Sequence, residues 1–451
     1  MRFATWRCEA VALAVAALAA CQTTGGRTVS APAGDLTRIN HVVVIYLENR
    51  SFDNLYGEFE GADGLESARQ SAPQVDAQGT PYRVLPQAAG TPFPADLPNA
   101  PFDIGRFVPP SMPTRDLVHR FYQEQTQIDH GHMDRFVLVS DARGLTMGHY
   151  HTAELPLAAL AKEFTLCDRF FHSAFGGSFL NHQWFIAART PEYRDAPSSM
   201  RAVIDSSSGL LRVDGSVTPD GFVVNTAYSV QGPHPVVARE ELMPALTYPT
   251  IGDRLSEKQL AWAWYAGGWD QADAGHPSDD FQYHHQPFVY FARYAEGSAA
   301  RREHIQDERA FIAAARTGAL PAVAFVKPSG FDNEHPGYTD VIRGEQHVLE
   351  LIDDVRRGPN WNDTVIIVTY DENGGFWDHV PPPAGDRWGP GSRVPTIVIS
   401  PFARRRYVDH TTYETVSILA LIERRWRLAP LGERDAHANP FTGALDLARA
   451  P

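Results

Sequence analysis

Four short apolar runs constrain the fold of this chain more than any other feature. Residues 41–47 (HVVVIYL), 322–326 (AVAFV), 364–370 (TVIIVTY) and 394–399 (VPTIVI) lack the alternation of a half-exposed strand. Uninterrupted β-branched runs suit strands covered on both faces, as in a parallel sheet. Pro395 puts the last run near an edge or at a strand start, because proline has no N–H to give to the ladder. Helical patterns lie between and after these runs. Residues 344–357 carry Val348, Ile352 and Val355 on one face and stop at Gly358-Pro359. Thr411-Thr412-Tyr413-Glu414 reads as a capping box opening a helix through Ile418, Leu419 and Ile422. The expected fold class is therefore α/β, with a mostly parallel central sheet and helices on both faces.

The N-terminal segment belongs to targeting rather than to the fold. Arg2 and Arg7 precede an uncharged Ala-rich run, residues 10–20, too short to span a bilayer. It ends Leu18-Ala19-Ala20-Cys21, which resembles a bacterial lipobox: residues 1–20 would be a signal, and Cys21 would carry lipid as the chain's only membrane contact. A plain secretory signal with an incidental cysteine is the alternative. Export would leave the protein lipid-anchored at the outer membrane or in the periplasm. Residues 21–37 read as a flexible tether rich in Thr, Gly, Ala, Pro and Ser, and residues 38–451 as one domain. Within it, about 60–113, which is Pro-rich, and about 197–250, in which 209–232 alternates like a hairpin, read as excursions roofing a site. Of three cysteines, Cys8 and Cys21 fall in or at the end of the signal, and Cys167 sits in an apolar run as a core residue.

The 54 acidic against 40 basic residues leave a formal charge of −14. This balance argues against nucleic-acid binding, which draws its affinity from Lys and Arg along phosphates. A phosphate handled here would need a cation.

Ligands in parallel sheets gather beyond the carboxyl ends of strands. The first run passes directly into Glu48-Asn49, and the third into Asp371-Glu372-Asn373-Gly374-Gly375. Three carboxylates and an amide brought to one sheet edge would repel each other unless a hard cation lay between them; solvated loop acids are the alternative. A strand-like run at Phe170-Phe171 passes through Gly176-Gly177 to a helix beginning near Ser178. A helix N-terminus favours an anionic alkoxide or phosphate, so Ser178 is a candidate nucleophile, although the local pattern alone favours a simple N-cap.

These motifs together resemble a bacterial phosphoesterase family that includes acid phosphatase A and the non-haemolytic phospholipases C, with an alkaline-phosphatase-like fold. The resemblance runs through residues 48–57 (ENRSFDNLYG), 176–182 (GGSFLNH), 283–288 (YHHQPF), 333–337 (NEHPG) and 369–372 (TYDE). It implies Glu48, Asn49, Asp371 and Glu372 as metal ligands with Ser178, and Ser178 as nucleophile. It also implies His119, His284, His285 and His335 around the phosphoryl group. Arg50 departs from the family pattern, where His is common, as does Asp129-His130-Gly131-His132.

The implied cofactor is one divalent or trivalent metal ion with oxygen ligands; calcium, magnesium, manganese and iron all suit. His130/His132 and His149/His151 raise a second possibility, an imidazole-bound zinc. Trp262, Trp264 and Trp269 read as core or pocket wall. The expected reaction is hydrolysis of a small phosphate ester through a phosphoseryl intermediate, with one of the four histidines protonating the leaving group and protonated histidines favouring activity below neutral pH. Phosphomonoester hydrolysis leads, because 175–179 and His284-His285 resemble the acid phosphatase branch. A phospholipase C-type phosphodiesterase is the alternative, ahead of a non-catalytic surface binding lipoprotein. Sulfatase chemistry lacks its Cys-x-Pro-x-Arg signature.

Overall fold

The computed structural model describes residues 35–448. The expected signal, Cys21 and most of the expected tether lie outside the described residues. The tether's last residues do not: Leu36–Arg38 form a 3-10 turn capped by the Asp35 side chain, so ordered structure begins slightly before residue 38.

Eight strands make the central sheet: β1 (His41–Leu47), β2 (Thr165–Cys167), β3 (Trp262–Ala266), β4 (Ile305–Asp307), β5 (Val323–Lys327), β6 (Thr364–Tyr370), β7 (Thr396–Ile399) and β8 (Tyr407–Asp409). Their spatial order is β4-β3-β5-β1-β6-β7-β2-β8. Every pairing is parallel except β6 with β7 and β7 with β2, so β7 alone runs against the rest. The fourth apolar run is thus antiparallel, and it lies inside the sheet rather than at its edge. Pro395 immediately precedes it, where no ladder donor is required. Val42 to Leu47 and the whole of β6 are buried, as their unbroken composition demands.

The helices that matter for the site are α1 (Phe52–Tyr56), α2 (Phe121–Ile128), α3 (Ser178–Ala187), α4 (Glu308–Thr317), α5 (Val341–Arg357) and α6 (Thr415–Trp426). In α5, Val348, Leu351, Ile352 and Val355 are buried. It starts three residues before the expected position, because the Asp340 side chain accepts from the Arg343 N–H and caps it. In α6 the expected capping box is displaced. Tyr413 and Glu414 pair with Phe170 and Phe171, and the Glu414 N–H donates to Ser417 Oγ at 3.0 Å. Tertiary pairing therefore holds the Thr411 segment out of the helix.

The expected hairpin is shorter and earlier than its alternation suggests, with Val203–Ile204 opposite Leu211–Val213. The Asp205 carboxylate organises its turn by accepting from the Ser207 and Ser208 N–H groups and from Arg212. Beyond it, Asp214 accepts from Arg120, and Asn225 Oδ1 accepts from the Phe121 N–H, so this excursion braces the segment around His119. Cys167 and all three singled-out tryptophans are buried in the core.

Candidate active site

Sheet register creates the site. Leu47 is paired with Tyr370, so Glu48 and Asp371 leave neighbouring parallel strands side by side. Glu48, Asn49, Asp371 and Glu372 are all 0% exposed. The Asn49 N–H donates to Asp371 Oδ1 at 3.1 Å, and the Glu372 N–H donates to the same oxygen at 2.8 Å. Asn49 adopts a left-handed backbone, φ 63°, which asparagine tolerates better than most residues. Its carbonyl leaves no room at Gly374, where a Cβ would lie 2.2 Å from Asn49 O.

Ser178 enters from α3. Gly177 occupies the N-cap, so Ser178 is the first helical residue rather than the cap, and its hydroxyl donates to Glu48 Oε2 at 2.9 Å with Asn49 Oδ1 at 3.4 Å. The four expected histidines surround this centre. His119 and His335 flank Asn49, whose Nδ2 lies 3.2 and 3.1 Å from their respective Nε2 atoms. Each turns its Nδ1 to a backbone carbonyl, Leu117 O and Pro336 O. His285 Nε2 stands 3.1 Å from Glu48 Oε1, and the His284 ring lies 4.5 Å from that of His285.

Two further residues belong here that sequence reasoning did not single out. Lys327, the last residue of β5 and 1% exposed, pairs with Glu48 Oε1 and lies over the Tyr46 ring. Its signal was available, since it follows a buried run just as Glu48 and Asp371 do. His182 lies one helical turn beyond Ser178, donates from Nδ1 to Ser178 O at 2.7 Å, and stacks parallel to His285. Glu48, His182 and Asp371 form a cluster whose possible ligand atoms lie within 4.8 Å of one another.

The electrostatics are lopsided. Burial opposes charge on Glu48, yet His285 and Lys327 hold its carboxyl well below the usual carboxylate range. Burial, reinforced by the Glu48 charge, pushes Asp371 well above that range, and burial with Asp371 does the same to Glu372. Asp371 Oδ2 and Glu372 Oε1 are buried without a hydrogen bond. Such unmatched oxygens, with the amide Oδ1 of Asn49 turned toward Ser178, suit a hard cation better than a thiophilic one. By contrast, His130 and His132 are exposed, and both ring nitrogens of His151 are engaged, by Glu58 and Asp103. Neither His-x-His pair enters a candidate metal cluster among the described residues.

The histidines feel the same exclusion of water. Burial, and secondarily the charge of neighbouring His285, drives His284 well below the ordinary imidazole value; burial also lowers His285 and takes His335 down to about 3. Several of these rings are therefore neutral in the free protein near neutral pH, because water is excluded from them.

Comparison with known proteins supplies the family. Residues 39–429 match the model of the Phosphoesterase family. The chain belongs to the phosphoesterase family. It is a phosphoric ester hydrolase. Phospholipase C B of Mycobacterium tuberculosis is 26% identical over 467 aligned residues, covering 93% of this chain and 80% of that relative. The non-hemolytic phospholipase C of Pseudomonas aeruginosa is 24% identical over 457 residues, covering 91% of this chain and 56% of the relative's length. Among solved structures, the lipoteichoic acid synthase LtaP from Listeria monocytogenes superposes with a TM-score of 0.40 at 8% identity, covering 92% and 78% of the two chains.

Proposed function

We propose that this phosphoesterase is a metal-dependent phosphomonoesterase with Ser178 as its nucleophile. The observation that carries the reading is the Ser178 hydroxyl donating to Glu48 Oε2 at 2.9 Å, at the first residue of α3 and among buried carboxylates. Glu48, Asn49, Asp371, Glu372 and the Ser178 oxygen would hold one cation. Bound there, it would supply neutralisation of the phosphoryl oxygens and a lowered pKa for the serine hydroxyl.

The chain's own groups account for the remainder. Glu48 Oε2 takes the hydroxyl hydrogen and leaves the Ser178 lone pairs facing the incoming phosphorus. The helix N-terminus favours the charge that develops on the ester. Ser178 Oγ forms a bond to phosphorus as the ester oxygen departs, giving a phosphoserine that water then cleaves. His119 is our choice for the proton donor to the departing oxygen. Its side chain is 19% exposed, at the rim where an alcohol would leave, and its Nδ1 contact with Leu117 O directs Nε2 inward. His284, His285 and His335 then bind phosphoryl oxygens, and an arriving dianion favours their protonation.

Four imidazoles around one serine provide more cationic capacity than a singly charged diester needs, and this favours the monoester. The phospholipase C names of the relatives favour a second reading, a phosphodiesterase. Parallel assays of a phosphomonoester and phosphatidylcholine separate the two, and a strong preference for the lipid overturns the first. Ser178→Ala should abolish turnover in a folded protein. His119→Gln should slow alkyl phosphates about 100-fold or more while sparing aryl phosphates, whose leaving groups need little proton donation. We also infer export and lipidation at Cys21; Cys21→Ser should move the protein from the membrane fraction to the soluble one.

A further inference from the structure

A buried carboxylate outside the proposed chemistry ties its two moving parts together. Glu124 lies in the first turn of α2, which begins two residues after His119, and it is 0% exposed. Its Oε2 accepts from the Gly176 N–H at 2.6 Å. Its Oε1 receives His172 Nε2 at 2.9 Å, the Ser392 N–H at 3.0 Å and the Ser392 hydroxyl at 3.1 Å. Gly176 and His172 belong to the turn that delivers Ser178, and Ser392 belongs to the segment entering β7.

Contact between this turn and the His119 segment is direct. Gly176 has φ 86°, and a Cβ there would stand 2.4 Å from Phe121 N; one on Gly177 would stand 2.9 Å from His119 O. Asn181 braces the turn internally through Ala174 and Gly176. Those bonds keep its shape but do not relate it to α2. Among the hydrogen bonds described, those joining Glu124 to Gly176 and His172 do.

We propose that Glu124 is a positioning residue whose carboxylate sets the separation of Ser178 and His119 by clamping the Gly176–Gly177 turn onto the start of α2. A carboxylate is required because four donors converge on it. An amide of the same shape offers one oxygen and turns an NH2 toward either the Gly176 N–H or the His172 and Ser392 donors. A misplacement of roughly 1 Å in a reacting pair costs about 100-fold in rate.

The inference rests on the reading of Ser178 as nucleophile and His119 as proton donor. The test compares Glu124→Gln, Ser178→Ala and the unaltered protein on an alkyl and an aryl phosphomonoester, below the melting temperature of each variant and normalised to folded protein. Glu124→Gln should lower kcat on the alkyl ester about 10- to 100-fold with KM within about twofold, and should lower it less on the aryl ester. A merely structural defect would scale both esters alike, and that result overturns the proposal, as does unchanged kcat. If Glu124→Gln fails to fold, His172→Gln serves instead: an alkyl-selective loss supports the clamp, and an equal or absent loss overturns it. Full activity in Ser178→Ala would sink the nucleophile reading itself. An inactive Ser178→Ala beside an unaffected Glu124→Gln would sink only the clamp.

Discussion

Two clusters of buried carboxylates lie a few residues apart on the same two loops and differ in where their positive charge comes from. Asp53, in the first turn of α1, follows Glu48, and Asp378 follows Asp371 through the 373–377 turn. At the Asp53–Asp378 cluster the chain supplies the counter-charge. Arg393, 0% exposed, donates to Asp378 Oδ1 at 2.8 Å and to Asp53 Oδ1 at 3.2 Å, and His379 Nδ1 meets Asp53 Oδ2 at 2.7 Å. At the Glu48–Asp371–Glu372 cluster Lys327 and His285 Nε2 both stand against Glu48, while Asp371 Oδ2 and Glu372 Oε1 accept no hydrogen bond. Geometry alone nominates a possible metal group at each, Asp53–Asp378–His379 at the first and Glu48–His182–Asp371 at the second. Charge accounting separates them: the first is matched within the chain, and the second keeps unmatched buried oxygens to which the proposed cation would bind.

The strongest way to break this contrast is to deprive the second cluster of its cation. Chelation, or Asp371→Asn, should reduce phosphate ester turnover about 1000-fold or more, restored by added metal only for the unaltered protein. Undiminished turnover in metal-free protein would remove the distinction. Next in size is stability, measured by denaturant unfolding without metal. Asp378→Asn leaves the buried Arg393 short of a partner and should cost about 3–5 kcal/mol, whereas Asp371→Asn should be neutral or stabilising because it removes a carboxyl that Glu48 repels. Equal losses would mean that both clusters are scaffold.

Lys327→Met tests the lysine counter-charge in the site. It should destabilise metal-free protein by about 2–3 kcal/mol, with much of the loss recovered by Glu48→Gln in the same chain. Failure of the second change to compensate would show that Lys327 acts through packing.

The smallest effect is a pH dependence at the scaffold cluster. Burial alone would lower His379, but its hydrogen bond to Asp53 and the charges of Asp53 and Asp378 raise it to about 8 against the opposition of Arg393; Asp63 also faces it, across Nε2. A folded value above the unfolded one means the contribution is complete below about pH 6.5 and is lost as pH rises through about 8. It should amount to about 1–2 kcal/mol and vanish in His379→Gln. An unchanged stability profile in that variant would show that His379 carries no such charge.

Much of this architecture was readable from local pattern. The runs over β1, β5 and β6 announced doubly covered strands, and the acids directly after two of them announced a shared edge. The direction of β7 was not readable, because an apolar run has the same composition whichever way it points. The capping box at Thr411 was locally sound, but pairing of Tyr413 and Glu414 with Phe170 and Phe171 prevailed over it. Lys327 escaped notice because one lysine after a strand is unremarkable until the neighbouring strand ends in Glu48. The burial that lowers His284, His285 and His335 was hidden for a similar reason: it is set by segments that close over each ring from elsewhere in the chain.

Residue order along the chain was sufficient for the kinds of element and for the residue types offered at the strand ends, since both depend on neighbours a few positions apart. The pairing of Leu47 with Tyr370, the convergence of Ser178 on Glu48, and the division between a matched and an unmatched acid cluster arose only on folding. Desolvation and Coulomb energies depend on distances in space, and those distances join residues more than a hundred positions apart.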